Sequence, residues 1–81
     1  MNAIKRARKF VEKNPLTEEA ATLARLVLAL ESDEEFELGD LYRLDHDSFD
    51  LAIEILKEWR LDRHYMGKAK LHDLAVQVHE L

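Results

Sequence analysis

Eighty-one residues amount to one domain, expected over 1–81, and a chain this short buries only about 60% of its unfolded surface, so its margin of stability is thin. The sequence has no cysteine, which rules out a disulfide framework and a thiolate metal site. Its one proline and two glycines are too few for the tight turns of an all-β chain.

Seventeen acids against twelve bases leave a net charge of −5, which disfavours nonspecific adhesion to nucleic acid or an anionic membrane. The charge is uneven. Residues 1–13 hold Lys5, Arg6, Arg8, Lys9 and Lys13 against Glu12 alone. Residues 31–40 hold Glu31, Asp33, Glu34, Glu35, Glu37 and Asp40 with no base. Residues 57–70 turn basic again through Lys57, Arg60, Arg63, Lys68 and Lys70. Ala, Leu, Glu, Lys and Arg are abundant, and all favour helix. The expected fold is all-α: a small bundle of about four to five short helices around a central apolar helix.

The first helix is expected from about Ala3 to Lys13. Ala3, Ile4, Ala7, Phe10 and Val11 share one face, with Lys5, Arg6, Lys9 and Lys13 on the other. Asn14-Pro15 ends it, because the residue before proline avoids the α region. Its basic amphipathic character resembles a mitochondrial presequence, but Glu12, the lack of serine and the helix stop argue against one. No apolar core of a secretory signal is present, and the expected compartment is cytoplasmic.

Thr17 is expected to cap the second helix, with Glu18 and Glu19 facing the positive helix end. Leu16 is placed to pack on Ala21 as a hydrophobic staple. The helix runs to about Glu31. Within it, nine of the eleven residues of Ala20–Leu30 are apolar, leaving a slit near Thr22, Arg25 and Ala29. A helix apolar on nearly every side is a buried helix. It is also well short of the roughly 20 residues a membrane helix needs, so no membrane partner is expected.

Residues 32–40 admit two readings. Ser32 and Glu35 fit a capping box, but Gly39 would then lie inside the new helix at a cost of about 1 kcal/mol. The preferred alternative is a loop over 32–38, with Phe36 and Leu38 pinning it to the core. Asp40 then caps a short helix through Leu44.

Asp45-His46-Asp47 is expected to be a turn, with Asp47 capping a helix over about 48–62. Phe49, Ala52, Ile53, Leu56 and Trp59 centre its apolar arc. Leu51 and Ile55 widen the arc to about 200°, broader than a surface helix needs. Asp50, Glu54, Lys57 and Glu58 lie opposite, and Leu61 falls among those polar residues. Gly67 is expected to be a stop. A last helix over about Lys70–Glu80 carries Leu71, Leu74, Ala75 and Val78 on one stripe.

Little here points to chemistry. His72 and His79 share a face, but two helical turns separate them by about 10.5 Å, too far for one ion with bonds near 2 Å. The i, i+4 partner of His72 is Val76, and His64 lies close to Lys68, which also argues against a metal site. Asp45, Asp47 and Asp50 resemble the start of a calcium loop, but Asp50 stands where that loop needs Gly and Leu56 where it needs Glu. There is no glycine-rich phosphate loop. No cofactor, metal or catalytic residue is expected, and the chain is read as non-enzymatic.

The expected function is protein interaction, with another protein or a second copy of the chain. An over-wide apolar arc on a small protein marks a contact site, which assigns Leu51, Ile55 and Leu61 to it. The plain alternative is that the first and last helices cover the arc. A second functional reading is a helix-turn-helix nucleic-acid binder using Arg43, Arg60, Arg63, Lys68 and Lys70. Against it, Asp50, Glu54 and Glu58 would face the phosphates. The basic first helix either pairs with the acidic 31–40 stretch or awaits an acidic partner.

Overall fold

Ala3, Ile4, Ala7 and Val11 recur at helical spacing and are all buried along one side of α1, Ala3–Lys13. The computed structural model describes residues 3–32, 34–59 and 65–80, with side chains for all but 65–67. α1 ends where expected. The Asn14 amide and its side-chain Nδ2 both donate to the Phe10 carbonyl at 3.0 Å. The start of α1 is closed from elsewhere, by the carboxylate of Glu58.

α2, Glu18–Ser32, is capped by Thr17, whose Oγ1 accepts the Ala20 amide at 3.1 Å. Leu23, Ala24, Leu26 and Val27 are fully buried, and Thr22 and Ala29 nearly so. The expected staple does not form, because Leu16 is 84% exposed. The Thr17 amide donates to the Asn14 carbonyl at 3.2 Å, which closes a β-turn with Pro15 and Leu16 at its two central positions. Leu16 therefore stands at the corner, facing solvent.

The loop reading holds for residues 34–37. The Glu34 amide donates to the Ala29 carbonyl at 3.1 Å, tying the chain back onto α2. Phe36 packs on the core as expected. The short helix is a 3-10 segment, η1, Leu38–Arg43. Asp40 does not cap it; Glu37 occupies the cap position with no side-chain bond. Asp40 lies inside η1 and binds Arg25 and Arg43 instead. Leu38 is not pinned to the core: Leu41 takes that place at 5% exposure and leaves Leu38 at the rim.

α3 spans His46–Trp59 and starts earlier than expected. Asp45 is the cap rather than Asp47, with Oδ1 accepting the Ser48 amide at 2.8 Å. His46 and Asp47 are therefore helical, and Asp47 serves the first turn, where a carboxylate faces the helix dipole. Both aspartates satisfy the local capping rule, and the earlier start is marked by the Phe49 amide, which donates to the Asp45 carbonyl at 2.9 Å.

α4 spans Tyr65–His79 and passes straight through Gly67, so that glycine is not a stop. A glycine inside a helix costs about 1 kcal/mol against alanine. The burial of Leu71, Ala75 and Val78 along the same helix outweighs it. α4 lies chiefly across α2 and α1, while α1 also packs on α3. The Cα radius of gyration is 11.2 Å, against about 12 Å for a compact chain of this length, so the helices close on one core. The described residues hold five helical segments and no strand. None of these helices is long and apolar enough to cross a membrane.

Candidate partner-binding surface

The buried side of α3 is Ser48, Leu51, Ala52 and Ile55, while Phe49, Ile53, Leu56 and Trp59 from the centre of the expected arc are half-buried. α3 packs on α1, α2 and η1, and this leaves Leu51 at 7% exposure and Ile55 at 0%. Neither can meet a partner without opening the fold, which corrects their assignment to a contact surface. Leu61 lies outside the described residues.

Apolar side chains reach solvent elsewhere. On η1, Leu38 is 70% exposed and Tyr42 79%. Tyr42 stacks on Phe49 of α3, with ring centroids 5.7 Å apart. In a segment of three residues per turn, positions 38, 41 and 44 share a face, so Tyr42 falls off it. That spacing is a usable signal for the tyrosine. For Leu38 no local signal exists, since it shares the face of buried Leu41.

Beside Leu38 is an open hollow of about 330 Å³. α2 supplies Leu26 and Leu30, the loop supplies Phe36, η1 supplies Leu38 and Leu41, and α3 supplies Leu56. Glu34 is the one charged residue among those described that line it. A second hollow of about 260 Å³ lies on the other side of Phe36, against Arg25, Leu28, Glu35, Glu37 and His79.

The surroundings are acidic. Glu31, Glu34, Glu35 and Glu37 are exposed, and none has an ion pair among the described residues. They crowd the C-terminal end of α2, whose last turn carries no base. That end of a helix is the negative pole of its dipole, where carboxylates are unfavourable. Asp40 is the exception: it pairs with Arg25 at 3.5 Å and Arg43 at 2.7 Å, with 15% of its side chain exposed. These contacts fasten η1 to α2.

Of the cations proposed for nucleic acid, the three described ones, Arg43, Lys68 and Lys70, lie apart. Arg43 is held by Asp40. Lys68 sits over the Trp59 ring, 5.4 Å from its centroid. Lys70 joins Arg8 and Lys9 of α1 in an open groove, where Glu12 and Asp73 intervene. Sequence spacing gave no hint of that grouping, since its members lie on the two end helices. Arg60 and Arg63 are outside the described residues.

On α3, Glu54 pairs with Lys57 at 3.3 Å and His46 approaches Asp50 at 3.5 Å. Glu58 turns toward α1 instead of outward. Among the described residues, no three His, Asp or Glu side chains converge as a metal site would require. The surface beside Leu38 is thus apolar, with Glu34 at its edge. No protein-family profile matches the chain, no curated protein matches it, and no solved structure matches it.

Proposed function

We propose that this chain is a non-enzymatic binding module that docks a protein partner through the η1 face, in the cytoplasm. One observation carries the reading: Leu38 and Tyr42 stand 70% and 79% exposed beside an open apolar hollow. Solvated large apolar side chains next to a cleft lose free energy that a partner's apolar surface would restore. The lack of cysteine accords with a reducing compartment.

Chemical cross-linking in the native cell tests this, comparing wild type with a Leu38→Asp, Tyr42→Asp double variant. One partner should attach to the wild type and be lost from the variant, while both keep the same helical circular dichroism. Sedimentation equilibrium examines self-association in the same pair. Identical cross-links and identical masses in the two proteins would refute the reading.

Nucleic-acid binding is the second reading, supported by the meeting of Arg8, Lys9 and Lys70 in one groove. Retention on heparin at about 50 mM salt, where nonspecific affinity is strongest, would favour it. Glu12 and Asp73 in that groove weigh against it.

A further inference from the structure

Deepening the binding-module reading, on which it rests, we infer that the hollow beside Leu38 takes a basic amphipathic helical segment of a different protein. Leu-type side chains would enter the hollow while Lys and Arg lie along Glu31, Glu34, Glu35 and Glu37.

The walls set the first requirement. Leu26, Leu30, Phe36, Leu38, Leu41 and Leu56 offer only apolar contact. At about 330 Å³ the hollow is at the lower end of ligand-site volumes, about 300–1,000 Å³. That suits apolar side chains projecting from a helix, and Glu34 is the one charged residue among those described that line the hollow.

The rim sets the second requirement. Glu34 lines this hollow, Glu35 and Glu37 line the neighbouring hollow across Phe36, and Glu31 stands in the last turn of α2; all four are exposed, have no ion pair among the described residues, and lie at the negative end of the α2 dipole. Like charges held together there repel one another and the dipole, and incoming cations relieve both.

Both ends of the acidic loop are fastened, by the Glu34 amide to the Ala29 carbonyl and by Asp40 to Arg25 and Arg43. The rim is thus pre-organised, and a partner need not order it. A second copy of this chain is a poor occupant. Its basic helix, α1, buries the apolar residues Ile4, Ala7 and Val11 in its own core.

The probe is a synthetic helical peptide of Leu and Lys in an amphipathic repeat, with a Leu/Glu peptide of the same pattern as its opposite. Each is titrated into the intact protein, followed by calorimetry and amide chemical shifts. The Leu/Lys peptide should bind and shift amides over 26–41, and the Leu/Glu peptide should not bind. Glu34→Lys should weaken binding about fivefold, because a rim charge is reversed. Asp73→Lys, the same charge change on α4, should leave the affinity within about twofold, since solvent and salt screen distant charges. Leu38→Asp should weaken binding about tenfold or more, as loss of a central apolar contact does. For the unmutated protein, raising salt to about 0.5 M should weaken it several-fold.

No binding of the Leu/Lys peptide, shifts on another face, or equal loss in Glu34→Lys and Asp73→Lys would overturn the inference. If the peptide fails but Leu38→Asp dissolves a dimer of the wild type, the occupant is wrong and the binding module stands. If the peptide fails and the wild type neither self-associates nor cross-links through this face, both fall.

Discussion

Glu58 closes the start of α1 from across the core. Its two carboxylate oxygens accept the Ala3 amide at 2.9 and 2.8 Å, and Oε1 also accepts the Ile4 amide at 3.3 Å. The first turn of α1 has no acidic residue of its own, so its unsatisfied amides are served by a side chain 55 residues away. Removing this cap by Glu58→Ala should cost about 1–2 kcal/mol, the range for a lost N-cap with a favourable dipole contact. Urea unfolding should show a lower midpoint with an unchanged slope. Glu54→Ala, one turn earlier on α3 and paired with exposed Lys57, should cost no more than about 0.5 kcal/mol. Equal losses in the two variants would contradict the tertiary cap.

Asp45 predicts a pH dependence. Its hydrogen bonds with Ser48 hold its carboxyl below the usual value of 3.8. A carboxylate with a lowered folded-state pKa adds stability that is fully present above its unfolded pKa. It is lost as pH falls through the folded value. Stability should therefore fall as pH drops below about 5, and Asp45→Asn should flatten that acid limb while leaving a weaker helix cap at neutral pH. An acid limb identical in the two proteins would contradict this role for Asp45.

The placement of the apolar residues predicts a contrast between core and surface. Ile55 is fully buried, and Ile55→Ala should cost about 2–5 kcal/mol. That is a large share of the roughly 5–15 kcal/mol that holds a domain together. Leu38, at 70% exposure, should lose no more than about 0.5 kcal/mol on change to Ala. The measurement is thermal or urea unfolding of both variants. A tolerant Ile55 with a sensitive Leu38 would reverse the assignment of core and contact face.

Salt tests where the basic charges act. Arg6, Arg8, Lys9 and Lys13 make no ion pair with residues 34–40 among those described. Among the described residues, the ion pairs of the acidic stretch run from Asp40 to Arg25 and Arg43, and exposed pairs contribute only about 0.2–1 kcal/mol. Screening should therefore relieve repulsion among Glu31, Glu34, Glu35 and Glu37 at least as much as it weakens attraction. The melting temperature should hold steady or rise as salt increases from about 50 mM to 0.5 M. A marked fall would mean that α1 is paired internally with the acidic stretch.

The sequence by itself determined what depends on neighbours in the chain. Apolar spacing of 3.6 residues marks the limits of α1, and Thr17 with the two glutamates behind it marks the start of α2. The burial of Leu23, Leu26 and Val27 follows from a stretch apolar on nearly every side. These are short-range effects of helix geometry, dihedral preference and burial, and they need no partner to be specified.

Only the tertiary structure decided matters in which two local options were close in energy or the partner was remote. Asp45 and Asp47 both satisfy the capping rule. Gly67 could end a helix or be carried through one by the packing of Leu71 and Ala75. Glu58 looked solvated on its own helix until the start of α1 came beside it. The candidate site belongs to this second group: Ile55, read as a contact residue, is buried, and Leu38, read as a core pin, is exposed, and these fates follow from which elements lie against them. Burial depends on the placement of surfaces distant in sequence, and helical periodicity carries no record of that placement.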